Sequence, residues 1–493
     1  MSAPSSDSSP ARHHASALAW AAAALTASVA ATAAPAETTS TAEQRRAVSV
    51  TIYNESLALV REERELELQQ GLNRVALREV SAQIRPETAS LRSLSGGALS
   101  LLEQNFDFDL LSPQALLDKH VGQSVTILTR NPQTGAETRE TATVLANNQE
   151  PVLQYADRVE AGLPEHARIV YGALPRNLRD RPTLVVDVHA PQAGKRLADL
   201  SYLTGGLSWK ADYVATLAPD EKTLDLAGWV TLTNQSGASY DNARLQLVAG
   251  DVNRVAEMDN RQRFRAMESV AMAAAPAPMA QEELFEYHLY TLGRPTDLRN
   301  NQTKQVALLH ASKVPVDKEY RLQGAQHWYQ SLLHNDNLSL PEKGDERKVS
   351  VFLQFKNSGG ELGVPLPKGV VRVYKDDSSQ RSLFVGEDRI DHTARNDDVR
   401  LRLGNAFDVN GNWKHTNTRR ISKNEYEASF TIDLRNAKDQ PVSVNVVEPV
   451  PGSWSILKES HPSTKPTANL AQWEIRVPAN GSTQLDYTVR VKL

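Results

Sequence analysis

Apolar and polar residues alternate along many short segments of this chain, and that pattern strongly limits how it can fold. Val48, Val50 and Ile52 alternate with Ser49 and Thr51. Such a period of two places the apolar side chains on one face of a β-strand. Similar segments recur at intervals of about 8–12 residues, the spacing typical of a β-sandwich. We therefore predict a mainly-β fold of tandem, immunoglobulin-like β-sandwich domains.

One segment has a helical pattern instead. In residues 110–121, Leu116, Leu117 and Val121 fall on one helical face. Ser112 is a suitable N-cap, and Pro113 suits the first helical position. Helical patterns are nearly absent after about residue 200. We therefore expect one or two short helices, confined to the N-terminal domain.

The N-terminus has the features of a secretory signal peptide. An Ala-rich apolar run covers residues 15–34, and small-x-small triplets end at Ala33 and Ala36. Signal peptidase cuts after such triplets, so we predict cleavage near Ala33 or Ala36, following Sec-type export. The protein would then be periplasmic or otherwise secreted, with no transmembrane segment after cleavage. The alternative interpretation of the run is an uncleaved membrane anchor.

Changes in pattern divide the chain into predicted segments. We assign a signal peptide to 1–36, a polar linker to 37–45, a β-rich N-terminal domain to 46–195 and a β-sandwich region to 196–493. The stretch 253–282 has no strand pattern and ends in an Ala/Pro/Met tract. We predict that it is a disordered loop. An interaction segment is the alternative for this stretch.

Composition excludes several classes of function. The chain contains no cysteine, which rules out disulfides, thiolate nucleophiles, Cys-type zinc sites and lipidation at cysteine. The formal net charge is only −4, and the charges are dispersed. This is not the basic surface that nucleic-acid binding requires. We expect no nucleic-acid partner and no cofactor, a divalent metal being the one exception considered below.

One short cluster combines acidic residues with an imidazole. Glu387, Asp388, Asp391 and His392 lie within six residues of one another. Carboxylates and imidazole are metal ligands, and a carboxylate can also orient a histidine for acid–base catalysis. We take Asp388, Asp391 and His392 as the candidate catalytic and metal-binding residues. The alternative is a turn in which the acids pair with Arg389.

Aromatic residues provide the candidate binding surface. His288 and Tyr290 alternate along one predicted strand, and Trp209 lies in another. Side chains of this kind can stack on sugar rings. They also pack into cores, which is the alternative for all three.

A weak internal repeat supports the sandwich prediction. Three segments share a form in which an alternating strand ends at an asparagine and a second strand follows a polar turn. The asparagines are Asn234, Asn357 and Asn436. Asparagine is favoured at such exits because its side chain hydrogen-bonds to nearby backbone groups.

Several motifs resemble a known family. The quoted segments are 50–54, 57–61, 103–106, 109–111, 205–213, 228–230, 249–252, 287–291, 362–367, 386–393 and 404–408. Together they are similar to a bacterial domain-of-unknown-function family related to mucoidy inhibitor A. The resemblance implies an exported, β-rich protein, linked by name to suppression of a mucoid, polysaccharide-overproducing surface. It assigns no catalytic residues. The long heptad segment of mucoidy inhibitor A itself has no counterpart here.

These observations lead to one main hypothesis and two alternatives. The main hypothesis is a non-catalytic binding or assembly module that binds a cell-envelope protein or polysaccharide. The first alternative is a metal-assisted envelope hydrolase that uses Glu387, Asp388, Asp391 and His392. The second is a purely structural factor whose loop at 253–282 contacts a partner.

Overall fold

The fold was analysed in a computed structural model, which describes residues 36–53, 56–175, 178–250, 279–324, 329 and 344–492. The chain divides after Ala36 into two units, and everything below concerns the second, Glu37–Leu493. Strand accounts for 66% of the chain and helix for 3%, so the mainly-β prediction is confirmed. None of the described helices combines the length and the hydropathy that a membrane-spanning helix needs. Residues 1–35 of the predicted signal peptide lie outside the described residues.

The N-terminal region begins with six strands. They are β1 (Glu37–Ser40), β2 (Arg45–Tyr53), β3 (Leu57–Leu68), β4 (Gly71–Arg78), β5 (Ser90–Ser93) and β6 (Ser100–Asp107). Short 3₁₀ turns at Ala42–Gln44 and Pro86–Thr88 separate some of them. The segment 37–45, predicted to be a linker, is therefore structured. It forms β1, which pairs in parallel with β4, and then a turn closed by a Thr41–Gln44 capping box.

A small subdomain with its own core follows β6. Its elements are α1 (Pro113–Asp118), β7 (Ser124–Arg130), β8 (Glu137–Asn147), β9 (Pro151–Gln154), β10 (Val159–Ala161) and β11 (Ala167–Val170). The Ser112 side chain caps α1 by accepting a hydrogen bond from the Ala115 amide at 3.0 Å, as the sequence predicts. Leu117 of α1 packs with Ile127 and Val144 in this core.

The rest of the chain is a long succession of strands. The first group is β12 (Thr183–Ala190), β13 (Gly194–Thr204), β14 (Leu207–Leu217), β15 (Thr223–Asn234), β16 (Tyr240–Ala249), β17 (Ala280–Leu284), β18 (Tyr287–Thr291), β19 (Thr296–Leu298), β20 (Gln302–Pro315) and β21 (Asp317–Gln323). The second group is β22 (Asp345–Lys356), β23 (Gly369–Asp376), β24 (Ser382–Ile390), β25 (Asp398–Ser422), β26 (Glu425–Asn436), β27 (Val442–Pro449), β28 (Ser453–Glu459), β29 (Thr464–Thr467), β30 (Leu470–Val477) and β31 (Gly481–Lys492).

These strands form five sheets, named A to E here. Sheet A has the order β1-β4-β12-β6, and sheet B has the order β17-β18-β16-β2-β3-β13-β5, with β19 beside β16. Sheet C is the subdomain sheet, β10-β9-β8-β7-β11. Sheet D has the order β20-β15-β14-β23-β24, and sheet E is β28-β31-β26-β25-β22-β21-β27-β30-β29.

Two large cores lie against these sheets. The first core joins residues of sheets A, B and D, such as Val75, Val50 and Tyr213, and the second lies within sheet E and its neighbours. Strand β25 contributes to both, because Leu401 packs in the first core and Trp413 in the second. The sheets therefore share cores and strands along the described chain.

Three predicted boundaries fall inside strands, and one of them is the 45/46 boundary, which lies in β2. The boundary at 195/196 lies near the start of β13, which pairs with β3 from Gly194 to Thr204. Residues on both sides of that position also share the first core. Most of the predicted loop 253–282 lies outside the described residues. Its last residues, from Ala280 onward, belong to β17.

Candidate functional site

Three of the motifs that resemble the known family, 205–213, 287–291 and 386–393, contact a fourth, Leu362–Pro367. We call this fourth motif the proline segment. The Tyr213 hydroxyl donates a hydrogen bond to the Pro367 carbonyl at 2.8 Å, and the Tyr290 hydroxyl donates to the Pro365 carbonyl at 2.9 Å. Burial raises the pKa of both phenols, so each remains a hydrogen-bond donor at neutral pH. Strands that are distant in sequence therefore position the same segment.

The motif at 386–393 fixes the far end of the proline segment. Leu366 and Thr393 exchange backbone hydrogen bonds of 2.8 and 2.9 Å. The Lys368 amide donates to His392 Nδ1 at 3.2 Å. His392 Nδ1 thus accepts a backbone hydrogen bond, so this ring nitrogen is not available as a metal ligand. In this structure its visible role is to position the chain.

An open groove of about 740 Å³ lies beside this end of the proline segment. We call it the charged groove. Charged residues of both signs line it, including Lys210, Asp212, Lys368, Arg372, Glu387 and Arg389. Gly369 allows the close approach of strands at its floor, because a Cβ there would lie 2.3 Å from the Ala211 carbonyl oxygen. Rigid strands of sheet D therefore support the groove.

A line of polar contacts, which we call the polar ladder, crosses all five strands of sheet D. Its members are Glu387 of β24, Arg372 of β23, Asp212 of β14, Thr231 of β15 and Gln305 of β20. Arg372 contacts Glu387 at 3.3 Å and Asp212 at 3.0 Å. Thr231 donates to Asp212 at 2.9 Å, and Gln305 donates to Thr231 at 3.1 Å. The ladder fixes the charges at the groove floor in place.

Burial changes along the ladder. The Asp212 side chain is only 8% exposed, whereas that of Glu387 is 52% exposed. Asp212, in the middle of the ladder, is paired with Arg372 and Thr231, which balances the cost of burying a carboxylate. The exposed Glu387 end, at the groove, is available to a partner. Sequence reasoning missed Asp212 and Arg372, although Asp212 lies within the motif 205–213.

The acidic cluster predicted from the sequence does not converge on one point. Glu387 and Asp388 are neighbours on β24, so their side chains point to opposite faces of the strand. Asp388 accepts hydrogen bonds from the backbone amides of Arg389, at 2.8 Å, and Arg402, at 2.7 Å. Asp391 follows the end of the strand. In the part of the chain that the structure describes, no group of three His, Asp or Glu residues could hold a metal.

The three aromatic candidates have different environments. Trp209 is 7% exposed and packs in the first core, on the face of β14 opposite Asp212, so it offers no stacking surface. His288 is half-buried, and its Nδ1 atom lies 2.8 Å from Gln281 Nε2. Tyr290 is buried but lines a second cavity, together with Gln281. Of the three candidates, Tyr290 is the one that lines a cavity among the described residues, and His288 contacts Gln281 of the same cavity wall.

This second cavity, which we call the rim-acid cavity because the exposed Glu361 lines it, has a volume of about 350 Å³ and is lined in part by Val364 and Pro365 of the proline segment. Its walls are mostly apolar and include Leu309 and Val364, and its polar members include Glu361 and His310. Two depressions of different character therefore adjoin the proline segment, one charged and one mostly apolar.

Comparison with known proteins identifies the family but no activity. A family described as a domain of unknown function, DUF4139, matches residues 198–493, which is more than half of the chain and includes both depressions. No curated protein matches the chain significantly. Strands β2 and β3 lie outside the matched region, although β13 within it pairs with β3. The chain belongs to the DUF4139 family.

Proposed function

We propose that this protein is an exported, non-catalytic module of the cell envelope that binds a polypeptide segment of another envelope protein in the charged groove. The observation that carries the proposal is the polar ladder, which fixes charges of both signs across sheet D. Preformed charges on a rigid sheet favour recognition because little ordering is required on binding.

The groove favours a polypeptide over a neutral glycan. Its described lining residues include lysine, arginine, aspartate and glutamate but no aromatic ring on which a sugar could stack. A polypeptide carries both charges and can complement such a lining. An acidic polysaccharide would meet Glu387 and Asp391 as well as the cations. A polysaccharide partner is therefore one outcome of the test below.

Export and fold detail belong to the same proposal. The Ala-rich run before Ala36 supports Sec-type export to the periplasm, as does the resemblance to a family named for mucoid surface growth. The strand β1 begins at Glu37, directly after the second predicted cleavage site. Mature protein beginning at Ala34 or Glu37 in the periplasmic fraction would support this view. The repeated strand–asparagine–strand units support related immunoglobulin-like modules.

Metal-assisted hydrolysis by Glu387, Asp388, Asp391 and His392 has weaker support. Two of these residues are engaged with backbone amides, Asp388 with Arg402 and His392 with Lys368. The described residues offer no convergent set of ligands. We therefore put the binding role first.

Site-specific photo-crosslinking in living cells tests the groove. A photoreactive residue replaces Arg389, at the groove, and in a matched strain replaces Arg435, an exposed arginine on β26. We expect a protease-sensitive adduct from position 389 and at least about tenfold less from position 435. The charge reversal Arg389→Glu should reduce capture of the same partner, and Arg435→Glu should not.

The outcomes separate the alternatives. An adduct that resists protease but is degraded by glycosidases would replace the protein partner with a polysaccharide. Equal adducts at both positions, or none at position 389, would overturn the groove as a binding site.

A further inference from the structure

The rim-acid cavity has a form that suits a small ligand rather than a polymer. It is more enclosed than the charged groove, and its volume of about 350 Å³ is within the range of small-molecule sites. Buried side chains build its inner wall, including Met279, Leu309 and Tyr290, which are 8%, 6% and 3% exposed. Such a wall would bind an apolar group.

The polar atoms lie at the rim. Glu361 is exposed, and its Oε2 atom accepts a hydrogen bond from the Ser312 amide at 3.0 Å. His310 Nε2 lies 3.2 Å from the Ser312 hydroxyl. The Ser312 amide thus holds one oxygen of the Glu361 carboxylate and leaves the second oxygen available. Within the described ranges, no lysine or arginine forms an ion pair with Glu361.

We propose that this cavity binds an organic cation, namely an ammonium or guanidinium group on an apolar stem. The stem would occupy the apolar wall, and the charged head would pair with Glu361. A hydrogen bond between charged groups is stronger than a neutral one, and the fixed carboxylate adds little ordering cost. The cation could be a free amine or the lysine or arginine side chain of a partner polypeptide.

The site does not require the proposed function of the groove. Pro365 lines the cavity and Lys368 lines the groove, so the two depressions are separated along the chain by at most about 11 Å. One polypeptide could therefore reach both. A free amine would bind the cavity even if the groove had no partner, so the two proposals can fail independently.

Titration with matched small probes tests the proposal on the mature protein. The probes are n-hexylamine, the neutral 1-hexanol and the anionic hexanoate, with binding followed by calorimetry and by saturation-transfer NMR. We expect hexylamine to bind at least about tenfold more tightly than hexanol, and hexanoate to bind least. Glu361→Gln should remove this preference without affecting hexanol, whereas Glu474→Gln, an exposed control on β30, should change nothing.

A filling variant tests the wall independently of charge. Ala227 lines the cavity, and Ala227→Leu should weaken hexylamine and hexanol alike. A lysine-containing peptide distinguishes the two sources: competition with hexylamine would support a protein side chain, and failure to compete would indicate a free amine. Equal affinities for the three probes, or an unchanged preference in Glu361→Gln, would overturn the cation site.

Discussion

Two glutamates, one in each large core, show how differently the same buried side chain can be accommodated. Glu62 lies on β3 in the region of the first core, and Glu448 lies on β27 beside the second. Both are fully buried, with 0% exposure. Glu62 is surrounded by arginines, and Glu448 by aromatic rings. The comparison shows which core depends on charge.

Glu62 belongs to a buried ionic triad. Arg64 contacts it at 2.6 Å and Arg45 at 3.4 Å. Arg64 also donates to the carbonyls of Ser40, at 3.1 Å, and Arg78, at 2.9 Å. Because Ser40 and Arg78 belong to sheet A, the triad joins sheet A to sheet B. A charged carboxylate is required to hold the two arginines.

Among the described residues, no lysine or arginine forms an ion pair with Glu448, and Arg347 acts on it only through its charge. The Trp413 indole N–H donates to its Oε1 atom at 2.9 Å, and in the described residues Oε2 has no hydrogen-bond partner. Gly324 lies so close that a Cβ there would overlap the carboxylate. Burial raises the pKa of Glu448 to about 7, while the Trp413 hydrogen bond and the charge of Arg347 lower it less. This core therefore favours the protonated, neutral acid.

The largest expected effect comes from removing the charge of Glu62. In Glu62→Gln the arginines at 45 and 64, whose side chains are 7% and 0% exposed, lose their counter-charge. Leaving a buried charge unpaired typically costs about 3–5 kcal/mol. We expect the free energy of unfolding to fall by that amount, with faster amide hydrogen exchange in β3 and β4.

The exposed Glu67 on the same strand provides the control for this prediction. Glu67→Gln should change the free energy of unfolding by less than about 0.5 kcal/mol. A loss below about 1 kcal/mol in Glu62→Gln would contradict the role of the triad.

The same glutamate-to-glutamine substitution at position 448 should raise the free energy of unfolding rather than lower it. A folded-state pKa of about 7, above the ordinary 4.5, means that the fold retains a proton that the unfolded chain has lost between those pH values. Stability should therefore fall as pH rises from about 4.5 to 7. Glu448→Gln keeps the hydrogen bond to Trp413 and removes the proton dependence. We expect it to stabilise the protein by about 2–3 kcal/mol at pH 8 and to have little effect at pH 4.5.

Chemical unfolding at several pH values, with hydrogen exchange in β27 as the local probe, measures this effect. Glu474→Gln, on the neighbouring β30, is the matched exposed control. Destabilisation of Glu448→Gln at pH 8 would show that the carboxylate is charged and paired in the native core.

The triad also explains why the strand prediction for residues 57–68 is wrong. The sequence pattern predicts two short strands, Leu57–Val60 and Glu65–Leu68, with the charged residues 61–64 outside both. The structure has one strand, β3, with Glu62 and Arg64 facing inward between Val60 and Leu66. Each charge is acceptable there only because the other is present. The remaining members of this network, Arg45 and the carbonyls of Ser40 and Arg78, lie on other elements, so the network cannot be predicted from the sequence of β3 alone.

The candidate site shows the same limit. The residues of the proline segment and its partners were all within quoted motifs, including Tyr213, Tyr290 and His392. Their convergence depends on the parallel pairing of β14 with β23, strands separated by about 150 residues. Local patterns do not determine such distant pairing. The helix cap at Ser112 was predictable because it depends on neighbouring residues alone.

Both core regions contain a buried asparagine at a strand exit. Of the changes considered, replacing these asparagines should have the smallest effect on the free energy of unfolding. Asn436 is 2% exposed and donates to the carbonyls of Gln440, at 2.8 Å, and Pro478, at 3.0 Å. Its side-chain oxygen accepts from the Lys438 amide at 3.0 Å. Asn234, in the region of the first core, bonds in the same way to Ala238, Leu298 and Ser236. The strand-exit asparagines predicted from the repeat are therefore buried ties between strand connections.

Alanine at position 436 would leave two carbonyls and one amide without their buried partner. We expect Asn436→Ala to lower the free energy of unfolding by about 1–2 kcal/mol, independently of pH because no titrating group is removed. Asn417→Ala, an exposed site on β25, should be nearly neutral. Asn234→Ala should cost a similar amount, so that both cores respond alike to loss of a neutral tie. Unequal losses would mean that one core relaxes around the missing amide, and the contrast between Glu62 and Glu448 would then reflect rigidity as well as charge.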